Sequence, residues 1–308
     1  MLSIIIVNWN SGLLLRACLD SIASLKSLKT MLVEAIVVDN GSVDHSLDLP
    51  DYPFELSVRR NERNAGFARG CNQGAALAKG TFLLFLNPDC ALGPDSIDAA
   101  LTTLRRDVDI GVVGVALSDD SGRIARSCHN FPAIHHFIGR TTGLARLFPR
   151  LFDSAMSRWP HDQDCDVDHV IGAFYMTRAE LFRCLSGFDE RFFVYLEDLD
   201  LSLRIRRAGF RIRFLAQPST YHKGGGTSDK AKAARLFFAT RSRIIYAFKH
   251  FTAVAAWGHL AVTLVVEPVC RVGELLIRWR VSEIGEVRRG FAMLLRDLPS
   301  IIRRVRQR

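Results

Sequence analysis

Two apolar runs in this chain each lead to an acid: Ala35-Ile36-Val37-Val38 stops on Asp39, and Phe82-Leu83-Leu84-Phe85-Leu86 passes through Asn87-Pro88 to Asp89. Short continuous apolar runs of this kind read as buried strands of a parallel sheet. In an open α/β sheet, ligands bind beyond the carboxyl ends of the strands, so both acids are delivered to one edge as candidates to hold a polar ligand or a metal. A third acidic signature, Tyr195-Leu196-Glu197-Asp198-Leu199-Asp200, comes from elsewhere in the chain and is the candidate source of the chemistry.

The surrounding pattern has a βαβ rhythm. Strands are predicted over residues 3–7, 35–39 and 81–87, and Leu15, Cys18, Leu19, Ile22 and Leu25 recur at helical spacing. An Ala-rich helix is expected from Phe67 to Ala78, a weaker strand over residues 56–60, and a further helix after Gly93-Pro94-Asp95, with proline and acid in its first turn. From Gly111 the pattern becomes irregular. Residues 131–168 carry scattered aromatics, histidines and prolines, and are expected to form a long loop region with short helices. Regularity returns with a strand over residues 170–177, a short helix over 178–184 stopped by Gly187, and a helix over 197–208 ended by Gly209. Glu197 and Asp198 fall at the start of that helix, where exposed amides favour ionised carboxylates; Asp200 and Arg204, four apart, suit an exposed helical ion pair.

A length of 308 residues and an apolar share of 48% allow one large α/β domain plus an appendage and argue against disorder. The net charge of +9 attracts phosphorylated ligands, anionic lipid or nucleic acid without choosing among them. Seven cysteines without a CxxC pair point to buried thiols in a reducing compartment, with no zinc site and no disulfides. The run Leu2 to Val7 lacks a basic flank and is too short for a signal-peptide core, so it reads as the first strand of a cytosolic protein.

Six motifs complete the pattern: Ile4-Ile5-Ile6-Val7-Asn8-Trp9-Asn10, Val38-Asp39-Asn40-Gly41-Ser42-Val43-Asp44, Asn64 through Gly66 and Arg69 to Asn72, Asn87-Pro88-Asp89, Gly187-Phe188-Asp189-Glu190 through Glu197-Asp198, and Tyr221-His222 through Ser228. In this order, over the first three quarters of the chain, they resemble glycosyltransferase family 2, the inverting GT-A group, and within it the bacterial rhamnosyltransferase-like branch. The resemblance implies an α/β fold with a GT-A nucleotide-sugar-binding, Rossmann-like central sheet and a C-terminal helical extension. It implies that a nucleotide-diphosphate sugar lies across the strand ends, held by Asn8, Asp39, Asn64, Gly66, Arg69, Asn87 and Asp89, with Asp39 reading the base. Asp39 also suits capping of the Asn40-Gly41 turn. A divalent metal, Mg²⁺ or Mn²⁺, is implied at Asp89 and His222; Asn87-Pro88-Asp89 stands where Asp-x-Asp is frequent, and one strong acid suffices beside substrate phosphates and water. Asp198 matches the catalytic base, with Glu197 assisting in acceptor positioning, and Gly172-Ala173-Phe174 resembles the stretch where donor sugar and acceptor meet.

The last quarter differs in composition. Phe251 to Val266 is a mostly apolar run of sixteen residues containing His259 and closed by Glu267-Pro268, short of a bilayer span, and either lies on a membrane or packs in the core. From Arg271 to Arg308, ten arginines face four acids among regularly placed leucines and isoleucines, as in basic amphipathic helices that meet an anionic membrane surface; a solvated helical hairpin or a dimerisation element fits the same pattern. The chain thus divides into a GT-A domain, residues 1–240, and a helical membrane-proximal tail, 241–308. The expected reaction is transfer of L-rhamnose from dTDP-rhamnose to a lipid-linked glycan acceptor or growing polysaccharide, at the inner face of the cell membrane. UDP-galactofuranose, UDP-glucose and UDP-N-acetylglucosamine remain alternative donors, a non-catalytic glycan-binding scaffold is a second class, and homo-oligomerisation stays open. No nucleic acid partner is expected, because no base-reading module accompanies the charge.

Overall fold

In the computed structural model, residues 1–25, 33–152, 154–156, 159–224 and 231–306 are described. The elements run β1 (Leu2–Asn8), α1 (Leu13–Ala23), β2 (Val33–Asp39), β3 (Glu55–Arg60), α2 (Phe67–Leu77), β4 (Phe82–Leu86), β5 (Cys90–Ala91), α3 (Ser96–Arg106), β6 (Ile110–Ser118) and β7 (Cys128–His129). They continue with α4 (Ile134–Thr142), α5 (Leu144–Leu147), α6 (Pro149–Phe152), β8 (Cys165–Val167), β9 (His169–Val170), β10 (Phe174–Arg178), α7 (Ala179–Cys184), α8 (Glu197–Arg207) and β11 (Arg211–His222). Three long helices close the chain: α9 (Lys232–His250), α10 (Ala253–Ile277) and α11 (Ile284–Arg306).

The chain forms two compact units. The first comprises Met1–Asn130, Ala155–Glu190 and Glu197–Thr227, and is built on a sheet with strand order β3-β2-β1-β4-β10-β6-β11-β5, in which β8 also pairs with β11. Strands β1 to β4 are mutually parallel where they pair, and β10 runs antiparallel between β4 and β6. The expected continuous apolar runs are indeed covered on both faces. Leu15, Cys18, Leu19, Ile22, Ile97 and Leu104 from α1 and α3 pack on one face; Ala68, Cys71, Phe182, Leu201 and Ile205 from α2, α7 and α8 pack on the other. Burial of this kind contributes about 25 cal/mol per Å² of apolar surface, which makes the sheet the rigid support for whatever its edge carries.

Several expectations need correction. The irregular stretch after Gly111 contains β6, a nine-residue strand in the interior of the sheet. Its glycines hid it: a Cβ on Gly114 would lie 2.8 Å from the Val170 side chain and one on Gly111 2.7 Å from Ile205, so both positions give room to elements packed on the sheet. The strand expected over 170–177 divides into β9 and β10, separated by a turn at Gly172. Pro94 and Asp95 precede α3, with Asp95 left-handed at φ 64 as its N-cap. Asp200 is buried, and Arg204 reaches it at 2.9 Å while also donating to the carbonyls of Leu185 and Gly187; the pair is an internal brace rather than a solvated one. Residues 131–152 form short helices as expected.

The second unit comprises Phe131–Ser154, Arg191–Leu196 and Ser228–Arg308. The boundary expected at residue 240 falls inside α9, because residues 131–154 and 191–196 pack with the C-terminal helices. The apolar run does not close at Pro268: α10 continues through it to Ile277. Glu267 is buried and paired to Arg243, whose Nη2 lies 2.7 and 2.8 Å from its carboxylate oxygens, and to Arg271 at 2.7 Å. The apolar face of α11, with Phe291, Leu294 and Ile301 buried, packs along α9. Among the described residues, no helix is long and apolar enough to cross a membrane.

Candidate active site

The parallel strands deliver their C-terminal residues to one edge. Register pairs Asn8 with Asp39 across β1 and β2, and Ile6 with Leu86 across β1 and β4, so Asn87-Pro88-Asp89 leaves the sheet beside the end of β1. Because β10 is antiparallel, its beginning lies at the same edge, where the Asn87 amide donates to the Ala173 carbonyl at 3.0 Å. The neighbouring Gly172 amide donates to Oδ2 of Asp198 at 2.7 Å. One sheet edge therefore gathers carboxylates from three separated stretches of sequence.

Asn8 is fully buried and does not reach solvent. Its Nδ2 faces Oδ1 of Asp39 at 2.8 Å, Ser46 at 2.8 Å and Ser42 at 3.1 Å, while Ser11 donates to its Oδ1. In this geometry Asn8 braces Asp39. Oδ2 of Asp39 accepts the Ser42 amide at 3.1 Å and its Oδ1 the Ser42 hydroxyl at 2.5 Å, so the turn-capping role is realised in the geometry.

A second amide network holds the loop carrying Asn64 and Gly66. Asn40 donates to the Gly66 carbonyl at 3.1 Å and accepts from Asn61 at 2.9 Å, and Asn61 also donates to Gln73 at 2.8 Å. Asn64 accepts the Gly66 amide at 2.9 Å, and Gly66 starts α2 from φ 92, a left-handed conformation open to glycine. Arg69 in the first turn of α2 is exposed, with Glu190 at 3.9 Å as its nearest ionic partner. Asn72, one turn further on, clamps the backbone of Phe188 through both ends of its amide, at 2.8 and 2.9 Å. Asn40, Asn61 and Asn72 position the site without an individual sequence signature beyond lying inside or beside the quoted motifs.

Asp89 and His222 meet as expected, with Nε2 of His222 3.4 Å from Oδ1 of Asp89, both side chains mostly buried. The last residues of β11 pair with β5, and the Lys223 amide donates to the Asp89 carbonyl at 3.1 Å. Cys90 lies in the same group; its Sγ donates to the Ala173 carbonyl at 3.4 Å, and burial pushes the thiol well above its ordinary range, which favours its protonated form. One carboxylate and one imidazole, converging without a hydrogen bond between them, fit a divalent cation whose remaining positions go to phosphate and water. Residues 225–228 of the last motif lie outside the described residues.

Glu197 and Asp198 open α8 as expected, preceded by two left-handed residues, Tyr195 at φ 70 and Leu196 at φ 66. Strain of this kind persists where the surroundings enforce it. The two acids differ sharply. Oε2 of Glu197 meets no hydrogen-bond partner among the described residues, and burial, followed by the charge of Asp198, pushes its carboxyl well above the usual range. These surroundings favour the proton on Glu197 over Asp198. Asp198 is also raised by burial, but the Gly172 and Leu199 amides, at 2.7 and 2.8 Å, pull it back, and its side chain keeps a 15% opening to solvent. Beside it stands His169, with Nε2 3.7 Å from Oδ2 and Nδ1 3.0 Å from Ser202; burial pushes this imidazole down to about 3, so it is neutral. The arrangement yields one partly solvent-accessible carboxylate able to take a proton.

Known proteins share this architecture. The description of glycosyl transferase family 2 matches residues 3–185. The chain is 25% identical over 240 residues to N-acetylglucosaminyl-diphospho-decaprenol L-rhamnosyltransferase of Mycobacterium tuberculosis, covering 73% of this chain and 78% of that one. Among solved structures, the mannosyltransferase PcManGT of Pyrobaculum calidifontis, in complex with GDP-Man and Mn²⁺, superposes with a TM-score of 0.56 at 16% identity, over 96% of this chain and 87% of that one. TarS of S. aureus gives 0.52 at 18% identity; it covers 85% of this chain, which spans only 42% of TarS. The fold is GT-A, with a helical C-terminal extension. The chain belongs to glycosyl transferase family 2.

Proposed function

We propose that this protein is an inverting sugar transferase, with dTDP-L-rhamnose as donor and a lipid-linked or growing cell-surface glycan as acceptor, working at the inner face of the cell membrane. The observation that carries the reading is the Asp198 carboxylate, held by two backbone amides at the edge that also bears Asp39, Asp89 and His222. The rhamnosyl and lipid-linked assignments are supported by the name of the mycobacterial relative.

In this mechanism Asp198 accepts the proton of the acceptor hydroxyl as its oxygen attacks the anomeric carbon. The bond from that carbon to the diphosphate breaks, its electron pair stays on the departing phosphate oxygen, and the configuration inverts. Glu197, whose carboxyl is raised by burial and by the charge of Asp198, would hold a proton and leave Asp198 as the proton acceptor. Asp39, fixed by Asn8 and Ser42, would face the base, and Arg69 the phosphates. Asp89 and His222 would hold a divalent cation, Mn²⁺ or Mg²⁺, which when bound offsets the charge of the diphosphate. PcManGT carries Mn²⁺ with its nucleotide sugar.

The test is donor hydrolysis and transfer by the purified protein against dTDP-rhamnose, UDP-galactofuranose, UDP-glucose and UDP-N-acetylglucosamine, with Mn²⁺ or Mg²⁺. Turnover selective for dTDP-rhamnose is the expected result. Selectivity for another sugar would replace the donor assignment, and binding without turnover of any donor would favour a scaffold.

A further inference from the structure

Helix α10 buries polar residues beside Ala256 and Leu260 and exposes aliphatic ones, an unusual division for a helix in water. Its buried positions include His259, Thr263 and Glu267, a polar stripe four residues apart, whereas Val254, Val265 and Val269 on its outer side are 85%, 68% and 70% exposed. Neither ring nitrogen of His259 nor the Thr263 hydroxyl meets a hydrogen-bond partner among the described residues. In water, both halves of this arrangement are unfavourable, since buried polar atoms lose solvent and exposed valines retain it. Against an apolar medium the preference reverses, and helices place polar side chains inward and aliphatic ones outward.

Apolar exposure extends beyond α10 itself. Arg146 of α5 is ion-paired to Glu274, which brings α5 to the C-terminal half of α10, and the following Leu147, Phe148 and Leu151 are 73%, 54% and 62% exposed. Trp257 and Trp279, 45% and 91% exposed, stand along the helix and just beyond its end, as amphipathic aromatics do at membrane interfaces. Residues 253–266 carry no Asp, Glu, Lys or Arg, a stretch of about 21 Å at 1.5 Å per residue, against a hydrocarbon core of about 30 Å. Such a helix lies along a bilayer rather than through it.

Charge selects between a bilayer and a second copy. A second copy carries the same net charge of +9, whereas acidic headgroups complement it and the exposed Arg288, Arg296, Arg303 and Arg304 of α11 in the same unit. We propose that the outer face of α10, centred on Val265 and Val269, seats this protein on the surface of an anionic lipid bilayer. The apolar face of α11, one of the two stretches that the sequence alone offers for that contact, is occupied by α9. The proposal rests on the lipid-linked acceptor of the proposed function only for its purpose, and is tested apart from it.

The experiment compares full-length wild type with Val265→Asp/Val269→Asp and the milder Val265→Ser/Val269→Ser, by cosedimentation with vesicles of equal parts phosphatidylcholine and phosphatidylglycerol. Unchanged circular dichroism establishes folding, which the exposure of both sites favours. The Asp pair should lower the vesicle partition coefficient at least tenfold and the Ser pair measurably. Vesicle binding unchanged in both folded variants, or no vesicle binding by wild type, overturns the proposal, as does a wild-type dimer that the variants convert to monomer. Should the Asp pair misfold, the Ser pair decides. Donor hydrolysis in vesicle-free solution should be the same for all three chains; its absence in wild type would refute the transferase reading while the vesicle result still decides this one.

Discussion

Replacing Asp198 with Asn separates its two roles, because the change alters little in shape. Both carboxylate oxygens accept backbone amides, Gly172 at 2.7 Å and Leu199 at 2.8 Å. An amide keeps one acceptor, so one of those N–H groups loses its partner, at a cost of about 1–3 kcal/mol. Against this, burial raises the Asp198 carboxyl, so its ionised form is held at a penalty that the neutral amide does not carry. The two effects oppose each other, and the melting temperature should fall by no more than a few degrees, at about 2–4 °C per kcal/mol for a domain of this size. Catalysis has no such compensation: loss of the proton acceptor should slow transfer by about 10²–10⁴-fold, or about 2.7–5.4 kcal/mol of barrier. Donor binding measured by calorimetry with Mn²⁺ should stay near the wild-type value. The acidic limb of the wild-type rate profile should lie above the ordinary carboxylate range and be missing from the residual activity of the variant. Turnover within tenfold of wild type, or a limb that survives the substitution, would refute the assignment.

Asp89→Ala and His222→Ala should each weaken donor binding in the presence of Mn²⁺ and leave the chelator-treated value alike in all three proteins; calorimetry showing wild-type affinity indifferent to chelator counts against the metal pair. Glu197→Gln should flatten part of the pH dependence of stability, because a carboxyl raised in the folded state stabilises fully below its unfolded value near about 4.3 and loses that contribution as pH rises to the raised folded value. Urea unfolding of wild type and variant from acidic to neutral pH reads the difference, and identical slopes would show Glu197 to be ionised in the fold. Glu267→Gln should strongly destabilise the helical unit, by about 3–5 kcal/mol, since it leaves the Arg243 guanidinium buried without a countercharge; an unshifted thermal transition would contradict the buried pair.

The first half of the sheet was readable because its strands are unbroken apolar runs ending in polar residues, a pattern that parallel sheets impose. β6 escaped for a tertiary reason, as Gly111 and Gly114 interrupt the apolar pattern to admit Ile205 and Val170. Asp200 and Arg204 were misplaced because helical spacing identifies partners but not which face is covered. In the site, the convergence of Asp39, Asp89, Asp198 and His222 on one edge was legible from the motif order. The separation of Glu197 from Asp198 was not, because it depends on two amides that fold onto one carboxylate and not its neighbour. The bracing role of Asn8 was hidden in the same way: an asparagine at a strand end reads alike whether its amide meets a ligand or the next strand.

The antiparallel placement of β10 also has a consequence for how the molecule comes into being. β1 to β4 pair among themselves and use only the first 86 residues, so this part of the sheet can assemble early on a growing chain. β6 then has no place beside β4: the gap between them is filled by β10, which begins at residue 174, and β11, the parallel partner of β6, ends at residue 222. A newly made β6 must wait with its apolar surface uncovered, and closing these long separations is the slow step expected of non-local strand pairing. The edge that holds Asp89, His222 and Asp198 together is consequently complete only once β11 has been made. A nascent chain shorter than about 222 residues lacks part of that edge.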